Sequence, residues 1–460
     1  MSQLQLDNNE GLDPDFALDR LRVELITDAV EAEDSLELTY LLEPLHSADI
    51  ADLLEQISDS QRRALLRLWK GGMDGDTLSD LDEGLRLEVI RDLAPEDLAI
   101  VVRDLESDDV VDLIEDLDGA EKGAVLQVLE AADRVAVEQS LTYPEKSAGR
   151  LMQRELVMGP DSWNVGQAID YMRRQDDLPD QFYHLILVDA KLRPTGYVTL
   201  GKLLASARKV KLQEITEDSF RTISVTQDEE DVAYLFNQYH LISAPVVDDD
   251  DRLVGVITID DAMVVLDDEA EEDIMRLAGV GEGSLTDRII ATVKRRFPWL
   301  FVNLITAILA SLVIAQFDQV ITSLVALAVL MPIVASMGGN AGTQSLTVAV
   351  RALATKDLTS ANVWRVIKRE TIVGLVNGLI FAVVMGLVCM FWFDNAMLGG
   401  VIGAAMVLNL LIAGLAGVLV PVGLEKVGID PALASGAFVT TVTDVVGFFA
   451  FLGLAAMVLL

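Results

Sequence analysis

The sequence is poor in the residues that build most catalytic metal and redox centres. It has one cysteine, Cys389, and three histidines, His46, His184 and His240, in 460 residues. A lone cysteine inside an apolar run excludes a disulfide framework and a thiolate metal site. No histidine follows residue 240, so the apolar half has no imidazole to hold a catalytic zinc. Positive charge is scarce too: 35 Lys and Arg stand against 73 Asp and Glu, a net charge of −38. Like charge repels phosphate, which argues against a nucleic-acid partner. The N-terminus is polar and acidic, with no basic segment leading into an apolar one, so no cleaved signal is expected. No nucleophile–base pair, phosphate loop or zinc motif is present, and an enzyme is not expected.

What is there divides in two. From Pro298 to Leu460 six basic and seven acidic residues leave a net of −1, so −37 of the −38 lies in residues 1–297. That asymmetry and the length call for several domains.

The acidic half begins with a segment, 1–35, expected to be flexible. Over 36–145 the pattern predicts short helices. Leu93, Leu105 and Leu117 recur twelve apart, and Pro95 and Ser107 are helix-start signals with carboxylates in the following turn. So short a period predicts an all-α superhelix. A mixed α/β repeat follows. His184-Leu-Ile-Leu-Val-Asp189 aligns with Ser243-Ala-Pro-Val-Val-Asp248, and Gly196-Tyr-Val-Thr-Leu200 with Gly255-Val-Ile-Thr-Ile259, at a constant offset of 59 residues. Each unit reads as a helix, two apolar strands joined by a polar turn, and another helix. The repeat resembles a tandem pair of CBS domains, over 146–208 and 209–261. A connecting helix is assigned to 262–290, its helical pattern beginning at Asp260.

Lys294-Arg295-Arg296 marks a membrane border before a pore domain over 291–460. Five spans are expected, at 298–317, 321–349, 371–393, 396–423 and 431–460, each long enough for about 30 Å of hydrocarbon. Basic residues lie before span 1, between spans 2 and 3, and between spans 4 and 5. The positive-inside rule then puts the N-terminal half in the cytosol and the C-terminus outside an inner (plasma) membrane.

Asp444 is the one clearly intramembrane acid in that reading. Thirteen residues past Pro431, it lies about 20 Å along a helix, where an acid usually lines a polar path. A structural, protonated Asp is the competing reading. The run Met331-Pro-Ile-Val-Ala-Ser-Met-Gly-Gly-Asn-Ala-Gly-Thr-Gln-Ser345 predicts a broken helix, with freed carbonyls and Asn340 open to a cation. Small-residue helix packing would explain its glycines but not Asn340 and Gln344. Magnesium takes oxygen ligands and sheds water reluctantly. One Asp per chain does not neutralise a divalent ion, and two do, so a homodimer with paired Asp444 is expected.

Gly338-Gly-Asn-Ala-Gly-Thr-Gln-Ser345, Arg351-Ala-Leu-Ala-Thr-Lys-Asp-Leu358, Gly428-Ile-Asp-Pro-Ala-Leu433 and Asp444-Val-Val-Gly447 resemble signatures of the MgtE family of magnesium channels. The resemblance implies a homodimeric Mg²⁺ pore in the lipid bilayer that closes when cytosolic Mg²⁺ bridges carboxylates. It implies Asp444 as selectivity carboxylate, beside Asn340 and the backbone around Thr440 and Gly447. It implies sensor carboxylates at Asp108 and Asp112, at Asp261, and at Glu269, Glu272 and Asp273. Val264 and His240 stand where the family pattern has acids and put one or two sensor sites in doubt; Val446, near Asp444, stands where the pattern has a hydroxyl residue. CBS pairs bind adenine nucleotides such as ATP through Thr-x-Asp; only the second unit has it, at Thr258 and Asp260, and Asp260 is also a candidate helix cap. Co²⁺, Ni²⁺ and Mn²⁺ stay open as further ions. A membrane-anchored sensor without transport and a cation-coupled exchanger stay open as alternatives.

Overall fold

The computed structural model describes residues 18, 20–175, 178, 179, 181–218, 220–280 and 289–459. It divides into two units, Met1–Asp267 and Asp268–Leu460.

The first unit opens with short helices: α1 (Arg20–Glu31), α2 (Ser35–Leu42), α3 (Ser47–Gln56), α4 (Asp59–Leu68), α5 (Gly75–Ser79), α6 (Glu83–Asp92), α7 (Pro95–Asp104), α8 (Ser107–Asp116), α9 (Gly119–Val128) and α10 (Ala131–Ser140). From α7 to α9 the starts are twelve residues apart, and Leu93, Leu105 and Leu117 each take the position that ends the preceding helix. The period is therefore a ten-residue helix and a two-residue link whose leucine turns back into the core. The expectation of a flexible segment over 1–35 fails for its described part. Ile26, Ala29 and Val30, three and four residues apart, form one apolar face of α1 and are buried in the helical core.

The chain then passes through α11 (Ala148–Leu151) into two three-stranded sheets. Strand β1 (Met158–Pro160) runs parallel to β2 (His184–Val188), which is antiparallel to β3 (Pro194–Thr199), with α12 (Val165–Met172) and α13 (Leu200–Ala205) alongside in sequence. The second sheet repeats this with β4 (Ile223–Ser224), α14 (Glu229–Tyr239), β5 (Ser243–Val247) and β6 (Leu253–Thr258). The offset of 59 reaches into detail. The register shifts at Leu187/Val188 and again at Val246/Val247. Leu192 and Asp251, 59 apart, are both left-handed, at φ 63° and 62°. The Asp189 and Asp248 carboxylates each accept two turn amides. His184 and Ser243, equivalent positions, hydrogen-bond to each other, so the local two-fold passes between them. Burial drives the His184 pKa down to about 4, so the ring is neutral at physiological pH.

Helix α15 (Ile259–Leu277) starts in the first unit and ends in the second. The second unit continues with α16 (Ile289–Ala315), α17 (Asp318–Ser323), α18 (Ala326–Ala354), α19 (Val363–Phe393), α20 (Ala396–Lys426) and α21 (Pro431–Val458). Among the described residues, five helices are long and apolar enough to cross a membrane: α16, α18, α19, α20 and α21. Of these α20 is the most buried and α16 the least. Glycines let α19 and α20 approach closely: a Cβ on Gly374 would stand 2.4 Å from the Leu410 carbonyl oxygen, and one on Gly414 2.5 Å from that of Glu370.

Two expectations about the spans are corrected. Helix α16 runs through Lys294-Arg295-Arg296 and Pro298, so the helix does not begin at the basic border. Helix α18 is continuous through Pro332 and the glycines, not broken. Pro332 removes one backbone donor near the start of a 29-residue helix, and the remaining ladder holds. The glycines serve packing: a Cβ on Gly338 would meet Asn409, and one on Gly342 would meet Val439.

Candidate metal centres

Asp444 is the fourteenth of the 28 residues of α21, so a helix crossing the bilayer carries it to mid-depth. It is half-buried, and among the described residues its carboxylate has no hydrogen-bond or ion-pair partner. An acid at the bilayer centre costs about 2.5–3.5 kcal/mol or more unless water, an ion or a partner offsets it. Thr440, one turn earlier, spends its hydroxyl on the carbonyls of Gly436 and Ala437, at 2.9 and 3.1 Å. Gly447 is buried, and a Cβ there would lie 2.7 Å from the Asn409 amide nitrogen, so this glycine seats a neighbouring helix.

On α18 Asn340 is exposed, and it belongs to a stripe. Ser336, Asn340, Thr343, Gln344 and Thr347 are all exposed, at spacings of three and four that stack them along one face. Thr343 and Thr347 bond back to carbonyls of their own helix, both at 3.0 Å, and Asn340 reaches Ser336 at 3.4 Å. A polar stripe at this depth does not suit lipid. The opposite face of α18, with Val334, Gly338, Gly342 and Ser345, is buried.

A further acid of the second unit, Glu370, lies in the third turn of α19, is buried, and accepts a hydrogen bond of 3.0 Å from Ser345 of α18.

The soluble unit brings Asp108 and Asp261 together. Asp108 opens α8; Asp261 lies in the first turn of α15, where its carboxylate accepts from the Thr258 hydroxyl at 2.7 Å. Burial, then the charges of Asp261, Asp109 and Glu106, push the Asp108 pKa well above the carboxylate range. Burial chiefly, with Asp260 and Asp109 adding, raises Asp261 to about 7. Burial and then Glu155, Asp109, Asp261 and Asp260 raise Glu106 to about 7. One buried oxygen of Asp108, Oδ2, has no hydrogen-bond partner. Glu106, Asp109 and Glu155 are additions to the expected set. Glu106 and Asp109 were visible beside Asp108; Glu155 comes from the segment entering β1 and had no local signal. Glu155 accepts from Ser107 at 2.8 Å and Glu106 from Gln153 at 2.9 Å, which fastens α8 to that segment. Among the described residues no three such side chains are gathered closely enough to hold an ion already. The orphaned oxygen and the crowded acids nevertheless fit a hard divalent cation, which prefers carboxylate oxygen.

Asp112 is placed differently: it is exposed and takes a hydrogen bond of 2.6 Å from Arg86. In the second unit Glu272 is buried and pairs with Arg276, which also pairs with Asp430. Burial, then Asp430 and Glu269, raise Asp273 to about 6. Asp430 also caps α21, accepting from Ala432 N at 2.7 Å. Arg276 thus supplies to this group the positive charge that an ion would bring, a partner the sequence reading did not foresee.

Thr258 lines a shallow cleft with His184, Tyr183, Ser243, Gln153 and Glu155. Asp260 is exposed on α15 and outside the cleft lining. Thr258 directly precedes the helix, and its amide and hydroxyl both donate to the Asp261 carboxylate.

A helical, acidic domain, a CBS pair and five apolar helices, one carrying a carboxylate without a partner among the described residues, define a polytopic membrane protein with a large extramembrane half. Residues 331–454 match the model of a family described as a divalent cation transporter, residues 45–146 the MgtE intracellular N domain, and residues 212–268 the CBS domain. The chain is 34% identical to a magnesium transporter MgtE of Enterococcus faecalis, over 69% of this chain and 70% of that one. It is also 34% identical to a magnesium transporter MgtE of Thermus thermophilus, over 69% of this chain and 71% of that one. A crystal structure of the cytosolic domain of the Mg²⁺ channel MgtE in complex with ATP superposes at a TM-score of 0.50 and 27% identity, covering 53% of this chain and 99% of that one. The chain belongs to the MgtE family of magnesium transporters.

Proposed function

We propose that this protein carries Mg²⁺ across an inner membrane through a pore built from two copies of the second unit. The observation that carries the reading is the Asp444 carboxylate, unpartnered among the described residues and halfway along α21. Two copies bring two such carboxylates to one axis, enough to balance a divalent ion that keeps part of its water. The exposed stripe from Ser336 to Thr347 supports the same arrangement, since a second copy and a wet path would cover it. Asn340 and Gln344 then offer amide oxygens to the hydrated ion.

The soluble half acts as the sensor. Mg²⁺ binding at Glu106, Asp108 and Asp261 offsets their repulsion, so the ion favours the state that holds them together. Glu269 and Asp273 serve as a second group on α15, with Glu272 held by Arg276. Asp112 contributes only if Arg86 releases it. The cleft beside Thr258 takes an adenine nucleotide, as the related cytosolic domain takes ATP. The distribution of basic residues supports a cytosolic soluble half and a C-terminus outside.

Expression in a bacterial strain stripped of its own magnesium uptake tests the reading. Growth should return in low-magnesium medium. A chain that inserts at normal abundance and restores no growth contradicts transport.

A further inference from the structure

The middle of the bundle holds an amide that the ion path does not explain. Asn409 is the fourteenth residue of the 31 in α20 and fully buried. Its Nδ2 donates to the Val334 carbonyl of α18 at 2.8 Å, while its Oδ1 has no hydrogen-bond partner. Gly338 of α18 and Gly447 of α21 both rest on it: a Cβ on either would stand 2.2 Å or 2.7 Å from Nδ2. Three spans therefore meet at one side chain, each near its midpoint. Burying a half-satisfied amide in hydrocarbon is unfavourable, and a leucine would fill much the same space without that cost.

We infer that Asn409 is a positioning residue for Asp444. Gly447 is three residues after Asp444 and Thr443 one before it. Gly447 seats on Asn409, and the Thr443 methyl lies 3.5 Å from where a Cβ on Gly342 would be. Two contacts on successive turns fix the rotation of α21 about its axis, and that rotation sets the direction in which the Asp444 carboxylate points. The Val334 bond ties the same amide to α18, whose far face carries Asn340 and Gln344. Asn409 touches no ion; it holds the carboxylate in register with the polar stripe. This inference rests on Asp444 being the ion carboxylate.

The test is Mg²⁺ permeability relative to K⁺ in proteoliposomes of the full chain, for wild type, Asn409→Leu, Gly447→Ala, and Gly447→Ala with Asn409→Ala. The ratio reads where the carboxylate stands and is independent of how much protein folds or inserts. Asn409→Leu should lower it roughly tenfold, the scale on which a displaced supporting group weakens an ion site. Gly447→Ala should lower it as well, and removal of the amide beneath the new methyl should restore part of it. If Asn409→Leu does not insert, the two Gly447 variants decide alone: a ratio equal to wild type in Gly447→Ala overturns the inference. A wild-type ratio in Asn409→Leu overturns it too and leaves the transport reading standing. Absence of Mg²⁺ flux in wild type overturns both.

Discussion

At the scale of single residues, carboxylates govern the behaviour, and their surroundings give them different duties. Asp112 is paired with Arg86 and exposed, whereas Asp108 is buried among Asp261, Asp109 and Glu106. Acids raised in the folded state favour it when protonated. The stabilisation they give is complete below the ordinary carboxylate range and is lost as pH rises through about 7, where Glu106 and Asp261 titrate. Without divalent ions, protease resistance of the α7–α8 region should therefore fall between about pH 5 and about pH 8. Millimolar Mg²⁺ should flatten that profile; a flat profile without Mg²⁺ would contradict the crowded cluster. Asp108→Asn replaces the most buried acid of this cluster with a neutral amide. It should stabilise the ion-free soluble half at neutral pH by on the order of 1 kcal/mol, read by denaturant unfolding, and should blunt the further gain from Mg²⁺. Equal Mg²⁺ stabilisation of wild type and variant would take Asp108 out of the sensor. The sequence pointed to Asp108 and Asp261 through resemblance, but not to Glu155 or Arg276. Partners of that kind come from segments far apart in the chain, and nothing local records the meeting.

At the scale of elements, the strongest signals were periodic ones. Leu93, Leu105 and Leu117 foretold short helices, which are ten residues long with two-residue links, and the offset of 59 foretold two like α/β units, whose sheets match down to their irregular register. Span positions were readable because hydropathy alone marks them. Their ends shifted by several residues, because Lys294, Glu370 and Lys426 lie within helices rather than beyond them. The Pro332–Gly342 stretch was misread for a physical reason. Glycine is a breaker in water but a close-packing residue between helices, and only the neighbours tell which. Gly374 makes the point: Gly374→Val drives a branched side chain into the Leu410 carbonyl and should destabilise the bundle by about 2 kcal/mol or more. Its detergent melting temperature would show this; a value within a degree of wild type would mean that α19 and α20 are not so close. The stripe from Ser336 to Thr347 was present in the sequence at helical spacing, and was obscured by the expectation of a break.

At the scale of the whole molecule, the proposed dimer would cover the polar stripe and bring together two mid-span acids that have no partner among the described residues. In a Cys389→Ala background, Gln344→Cys should give a disulfide-linked dimer with a mild oxidant in the membrane, whereas Trp364→Cys, also exposed, should not. Dimer from both, or from neither, would place the stripe away from the two-fold axis. On the proposed reading the bundle supplies the path, and the acidic half reports the concentration of the ion that uses it.

The most direct measurement is Mg²⁺ influx into proteoliposomes carrying wild type or Asp444→Ala, at matched incorporation and low internal Mg²⁺. The account predicts influx through wild type and loss of Mg²⁺-selective influx in the variant, with both dimeric and equally stable. Equal selective influx through the two would contradict it and move the ion path away from α21.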